Sequence, residues 1–306
     1  MGGISKAHSD VVVSFIIVNY RTPELVVQCI QSIRQYCSGV PAYEIIVVDN
    51  DSQDHSLAVL SHCEGIHLLR NKANIGFAGA NNRGAAVARG KYLYLLNSDT
   101  YLLHDVLSVL VDYMEDVRHA HVAICGTDLL DAAGQKQAAY GNFPSVLEVV
   151  SQFGFDRFYK RYYAQRLSQG VRCDFEEPRT VDYVSGASMF IRAAVYRRLN
   201  GLDEDYFLYF EETDFSFRVR RLGYQSVLLP TARVVHLEGS SHQGQRTNNW
   251  NKRQHYTRSR ILFFKKNKGR AITFFVRILL IFQAFLAGLR RADSTYFKLM
   301  YRIAKV

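Results

Sequence analysis

Three apolar runs in the first hundred positions constrain this chain most: Val11–Val18, Ile45–Val48 and Tyr92–Leu96. All are rich in β-branched or aromatic residues, and none alternates polar with apolar. Strands of that kind need cover on both faces, the condition met in a parallel sheet between helical layers. Helix-patterned stretches separate them, from Pro23 to about Tyr36, Ser52 to about Cys63 and Ala78 to about Ala88. Thr22-Pro23 reads as an N-cap followed by proline at the first helical position. A helix over Asp105–Val117 and a strand over His121–Cys125 continue the alternation. The expectation is an α/β fold with a doubly wound, mostly parallel sheet flanked by helices.

The runs end alike. The first passes into Asn19-Tyr20, the second into Asp49-Asn50-Asp51-Ser52, the third into Asn97-Ser98-Asp99. In open α/β sheets the carboxyl edge of the strands is where ligands bind. Asp and Asn are also ordinary turn and cap residues, so it is the coincidence of three such ends that points to a site. Neither GxGxxG after the first strand nor GxxxxGK[ST] occurs, which excludes the dinucleotide fingerprint and the P-loop.

The second half is less regular. Phe143 to about Leu167 reads as a loose aromatic and basic helical region, and Val181–Arg192 as a strand with Ser185-Gly186-Ala187 in its middle. A helix from about Glu211 to Leu222, a strand Ser226–Leu229 and the segment Val234–Ser241 follow. Five scattered cysteines without CxxC spacing argue against a disulfide framework or structural zinc and for a reducing compartment. The short N-terminal run lacks the features of a secretory signal.

Charge is distributed unevenly. The whole chain carries 38 Lys+Arg against 28 Asp+Glu, a net +10. Residues 252–306 hold fourteen of the bases and one acid, Asp293, leaving about −3 for residues 1–251. Nucleic-acid binding across the whole protein is therefore disfavoured, and the chain divides into a body, 1–251, and a basic tail, 252–306.

Four clusters carry chemical potential. Asp99, at a strand end, suits Mg²⁺ or Mn²⁺ shared with a diphosphate, although a lone Asp there also caps helices. Glu211 and Glu212 lie at a helix start, where acids are favoured by the helix dipole. Beside Tyr206, Phe207, Tyr209 and Phe210, however, a partly buried carboxylate can serve as a general base, with aromatic faces for a sugar ring. Asp214 has the spacing for a helical ion pair with Arg218. His236 follows an apolar strand and is either structural or a third group beside Asp99 and a glutamate. The stretch Asn74-Ile75-Gly76-Phe77 through Asn82 combines glycines and amides ahead of a helix, which suits phosphate approach or a tight turn.

In this order the segments resemble glycosyltransferase family 2, with its GT-A fold, in a bacterial rhamnosyltransferase-like branch. The matching text is Phe15–Tyr20, Ile46–Ser52, Asn74–Asn82, Leu95–Thr100, Ser185-Gly186-Ala187, Gly201–Glu204, Glu211–Arg218 and the His236 segment. The resemblance implies that Asn19, Tyr20 and Asp49 face the nucleotide, that Asn74 and Asn81 or Asn82 line the donor pocket, and that Ser185 and Gly186 lie near the acceptor. It implies Asp99 and His236 as ligands of Mg²⁺ or Mn²⁺, and Glu212, second of the acidic pair with Glu211, as the base of an inverting transfer. The donor would be a nucleotide-diphosphate sugar, with rhamnose the implied sugar, and the acceptor a glycan or lipid-linked glycan. Asn97 stands where the family's metal motif usually begins with Asp. A relative that binds without turnover is the alternative.

In the tail, Ala271–Leu289 approaches the length of a membrane span. Arg277 near its centre would cost ~2.5–3.5 kcal/mol there. Arg270, Arg277, Arg291, Lys298 and Lys305 recur at multiples of seven. This favours a basic amphipathic helix on an anionic membrane surface, and a cytoplasmic protein peripheral to the inner face, over the two alternatives of a true span and a partner- or nucleic-acid-binding tail.

Overall fold

Register explains how the strand ends meet. In the computed structural model, which describes residues 11–37, 42–237, 248–291 and 295–305, β1 (Val13–Asn19) runs parallel to both β2 (Tyr43–Asp49) and β4 (Tyr92–Asn97). Asn19 is level with Asp49, and Val18 with Asn97. The three polar termini thus form one edge, set by the register of the parallel pairs. Beyond β2 lies β3 (Ile66–Arg70), a half-buried edge strand too polar to stand out in the sequence.

Helices α1 (Pro23–Tyr36), α2 (Ser56–Leu60) and α3 (Gly76–Val87) connect these strands. Thr22 does not cap α1 through its side chain; its hydroxyl lies 3.0 Å from that of Ser98, joining two strand ends instead. The helix expected from Ser52 starts only at Ser56, since Asp51 and Gln53 occupy left-handed conformations. After β4 come β5 (Thr100–Leu102) and α4 (Val106–Glu115), capped by the Asp105 carboxylate on the Ser108 amide at 3.1 Å.

The main sheet continues through β6 (Val122–Leu130) and, later in the chain, β11 (Ser188–Arg192) and β12 (Gln225–His236). Its order is β3-β2-β1-β4-β11-β6-β12-β5. The strand expected over Val181–Arg192 is broken at Ser185–Ala187. Tyr183–Val184 (β10) pairs with β7 (Ala138–Gly141) in a second sheet, which β8 (Val171–Arg172) completes. Ser188–Arg192 (β11) instead runs antiparallel between β4 and β6. Conversely, the two segments expected around residues 226–241 form one strand, β12 (Gln225–His236), with a shift of register between Leu229 and Arg233. Pro230 sits within that irregularity, where a missing N–H is tolerated. β9 (Arg179–Val181) also pairs with β12. Residues 238–241 lie outside the described residues.

Between the sheets and the tail, the region Phe143–Leu167 resolves into α5 (Val146–Ser151), a 3₁₀ turn at Phe155–Phe158 and α6 (Lys160–Arg166). α7 (Ala193–Arg198) and α8 (Glu211–Arg221) follow. The tail is helical: α9 (Asn248–Asn267), α10 (Arg270–Arg291) and α11 (Thr295–Lys305). A left-handed Gly269 separates α9 from α10; of the seven-residue stripe of bases, Arg270, Arg277 and Arg291 lie on α10 and Lys298 and Lys305 on α11, two helices that pack together. The boundary at residue 251 falls within α9, which is joined to the body. Its Phe263 is buried with Tyr206 and Phe210, and its Arg260 forms a buried ion pair with Glu148 of α5.

Candidate active site

Hydrogen bonding divides the polar residues of the sheet edge into a frame and an open site. Asn19 and Asp49 belong to the frame. Both are buried; the Asn19 amide donates to Asp49 at 2.8 Å, and the Ser52 hydroxyl donates to the same carboxylate oxygen at 2.5 Å. Tyr20 stands at the surface beside Arg21, whose guanidinium lies 5.2 Å from its ring. Asn74 accepts from Asn50 and from the Gly76 amide, each at 3.0 Å. Gly76 has φ +80°, and a Cβ there would lie 2.5 Å from the Phe207 carbonyl oxygen, which Phe77 N–H also reaches at 2.9 Å. This turn and the Phe207 loop are interlocked.

The two amides of α3 differ. Asn81 donates to the Phe77 carbonyl within its own helix, and its buried side-chain oxygen has no hydrogen-bond partner. Asn82 spends its whole side chain on the Gly201–Glu204 loop: it donates to Leu202 and Glu204 and accepts from Leu202 N–H and the Tyr196 hydroxyl. Asn82 is therefore a clamp on that loop, with no capacity left for a ligand.

Asp99 and His236, far apart in the chain, meet. The pairing of β5 with the end of β12 sets His236 opposite Thr100, and Nε2 lies 3.4 Å from an Asp99 oxygen. Two ligands of one cation at ordinary bond lengths of about 2.1 Å lie about 3 Å apart, so the pair fits a shared ion. The buried Asn97 side-chain oxygen nearby in sequence lacks a hydrogen-bond partner. Among the described residues no third His, Cys, Asp or Glu joins the pair. Mg²⁺ commonly takes one or two protein carboxylates and completes its shell with phosphate oxygens and water.

Glu211 and Glu212 open α8. The two preceding residues, Tyr209 and Phe210, both have left-handed backbone, at φ 68° and 70°. Such strain in non-glycine residues persists where surrounding packing enforces it, and here Phe210 is held against Phe263 and Tyr256. Glu211 is buried and one of its oxygens has no partner. Burial, reinforced by the charge of Glu212, holds the Glu211 carboxyl well above the usual range. Burial raises Glu212 as well. Glu212 opens into a cavity of about 380 Å³ lined by Tyr140, Tyr183, Ser185, Tyr209, Thr213 and Tyr256 among others. Gly186 adjoins it: a Cβ there would be 3.7 Å from the Glu212 side chain. The peptide of Ala187 then accepts from Asn97 N–H at 3.0 Å, linking this corner to the end of β4.

The acidic pair and Ser185-Gly186 thus lie together, and of the aromatic residues beside the pair Tyr209 and Phe210 line the cavity. Tyr206 is buried and donates to Asp214, which also holds Arg218 at 2.7 Å. Tyr140, Tyr183 and Tyr256 take its place, on β7, β10 and α9. Tyr256 is pushed up to about 12 by burial, so it keeps its proton and donates to the Gln169 side chain at 2.7 Å. No local pattern marks these three tyrosines in the sequence.

Residues 14–199 match Glycosyl transferase family 2. The chain is 25% identical over 203 residues to rhamnosyltransferase WbbL of Escherichia coli K12, covering 63% of this chain and 72% of that protein. It is 24% identical over 209 residues to the N-acetylglucosaminyl-diphospho-decaprenol L-rhamnosyltransferase of Mycobacterium tuberculosis, covering 64% and 67%. The fold matches the mannosyltransferase PcManGT from Pyrobaculum calidifontis, solved with GDP-Man and Mn²⁺, at TM-score 0.55 and 13% identity over 95% of this chain and 84% of that one. It also matches GalNAc-T7, solved with UDP, GalNAc and Mn²⁺, at TM-score 0.54 and 18% identity over 81% and 48%. With a doubly wound sheet of this kind and a family match over most of its length, the chain belongs to glycosyl transferase family 2, in a branch similar to bacterial rhamnosyltransferases.

Proposed function

We propose that this glycosyltransferase inverts the anomeric centre as it moves a sugar, with rhamnose the first candidate, from a nucleotide-diphosphate donor to a hydroxyl of a glycan or lipid-linked glycan. The observation that carries this reading is the raised Glu212 carboxyl in a tyrosine-walled cavity, directly beside Gly186. A carboxylate whose proton affinity is raised toward neutrality is a better general base. Glu212 takes the proton of the acceptor hydroxyl as that oxygen forms its bond to the anomeric carbon. The bond from that carbon to the diphosphate breaks, and its electron pair leaves with the diphosphate. Asp99 and His236 would hold Mg²⁺ or Mn²⁺, which supplies positive charge for the departing diphosphate. The printed ligands of the two structural neighbours, nucleotide or nucleotide sugar with Mn²⁺, support that choice.

On this reading Tyr20, Asn74 and Asn81 serve the donor, while Asn19 and Asp49 act by fixing the edge to which it binds. The lipid-linked acceptor named for the mycobacterial relative supports a cytoplasmic protein working at the inner face of a membrane, without nucleic acid as a partner. Calorimetric titration with UDP-, dTDP- and GDP-sugars, with and without Mn²⁺, tests the reading. Binding of one nucleotide class that Mn²⁺ strengthens, and that Asp99→Ala makes indifferent to Mn²⁺, is expected. Failure of all donors to bind would sink it. The alternative, a relative that binds without turnover, is favoured by Asn97 at the metal motif; it predicts donor binding with no transfer or donor hydrolysis.

A further inference from the structure

Helix α10 is apolar on two opposite faces; among the described residues one packs into the protein and the other is largely exposed. Val276, Leu280 and Ala284 are buried against Val149, Ile261, Phe264, Leu299 and Ile303. On the other side Phe274, Phe275, Ile278, Phe282, Phe285 and Leu289 are exposed, from 37% for Phe285 to 65% for Phe274. At 3.6 residues per turn these six positions fall within an arc of about 100°. Taking about 200 Å² for each side chain, they present roughly 600 Å² of apolar surface, the upper end of what a soluble monomer shows. The patch continues onto a second element: Phe153 stacks on Phe282 at 5.9 Å, and Phe155 and Phe158 in the next turn are 50% and 73% exposed.

We infer that this outer face of α10, with the Phe155–Phe158 turn, is the surface by which the enzyme lies in the headgroup layer of an anionic bilayer. The inference deepens the proposed membrane-side function by naming the face and its orientation. Charge identifies the occupant. Exposed Arg270 and Arg290 stand at the two ends of the apolar face, in a tail with fourteen bases and one acid. A long apolar face with basic ends matches anionic headgroups over acyl chains. The covered face sets the orientation. Residues 270–290 are long and apolar enough to cross a membrane. Crossing, however, would strip Val276, Leu280 and Ala284 from their packing and break the bond from Arg277 to the Ala304 carbonyl. The helix therefore lies along the surface, with its inner face on the protein.

Flotation of the full chain with vesicles of phosphatidylcholine, with and without phosphatidylglycerol, tests this in the absence of any sugar donor. Binding is expected only to the anionic vesicles, weakened by salt and released by alkaline carbonate. Phe274→Ser, Phe275→Ser and Phe282→Ser together should weaken it at least about tenfold, and Arg270→Glu with Arg290→Glu should abolish the preference for anionic lipid. Nucleotide binding and the thermal midpoint should not change in either variant, since all five side chains are exposed. Undiminished vesicle binding by the triple variant would overturn the inference, as would carbonate-resistant binding, which marks a span. A lipid-free dimer that the triple variant alone dissolves would also overturn it, by assigning the face to a second copy. Loss of nucleotide binding in the parent protein, with vesicle binding intact, would instead refute the transferase reading and leave the docking face standing.

Discussion

Glu212→Gln separates catalysis from stability in one substitution. The amide keeps the shape of the side chain, so the cavity and the helix start are preserved, but it cannot accept a proton. General-base catalysis is worth about 10²- to 10⁴-fold, equal to about 2.7–5.4 kcal/mol of barrier, and turnover should fall by that factor while donor affinity stays. Stability should move the other way. Glu211 and Glu212 both have raised carboxyl pKa values, from burial and, for Glu211, from its neighbour's charge. A raised acid contributes stability that is complete below the unfolded value near 4.5 and is lost as pH climbs through the folded one. The parent protein is therefore penalised most at neutral and alkaline pH, and removing one carboxyl lifts part of that penalty. Relief at a strained functional site is typically about 0.5–2 kcal/mol. For a chain of this length it corresponds to an increase in the thermal midpoint of about 1–4 °C. The assays are nucleotide-diphosphate release for turnover and calorimetric unfolding at pH 5 and pH 8. The gain should be larger at pH 8, and the acidic limb of the parent's rate profile, set above the usual carboxylate range, should vanish. Turnover within threefold of the parent would refute Glu212 as the base. A variant less stable at pH 8 would refute the electrostatic account of the pair.

Further outcomes follow from the same geometry. Arg260→Ala leaves Glu148 buried without its countercharge, and should cost about 3–5 kcal/mol in urea unfolding; adding Glu148→Gln should recover most of it. Gly76→Ala places a Cβ against the Phe207 carbonyl in a left-handed backbone, a loss of at least about 1–2 kcal/mol by the same measurement. Gly186→Ala makes only ordinary contacts with Glu212 and Phe77 and should fold as the parent does. Gly186→Leu, by contrast, should depress kcat/KM for the acceptor at least about tenfold with donor affinity unchanged in calorimetry.

What could be read in the sequence was mostly what burial imposes locally. The apolar runs ending in Asn19, Asp49 and Asn97 foretold parallel strands and their common edge, because a fully covered strand leaves polar residues only at its ends. The helix spacing of Asp214 and Arg218 foretold their ion pair, since four residues make one turn of one helix. Where an element's continuation depended on distant partners, the reading faltered. Val181–Arg192 has strand composition throughout, yet its halves enter different sheets. The tail's charge stripe presumed one helix, but its bases are shared between α10 and α11.

The sequence by itself determined the alternation of the first strands and helices, the chemistry available at the sheet edge, and the family. Only the tertiary structure decided how that chemistry is shared out. It turned Asn19 and Asp49 toward each other, set Asn82 to clamping a loop, and brought His236 to Asp99 through the pairing of β12 with β5. It also drew Tyr140, Tyr183 and Tyr256 around Glu212 from three separate elements. The physical reason is that periodicity records whether a residue is buried, whereas the role of a polar side chain depends on which group meets it, and that partner is delivered by long-range packing.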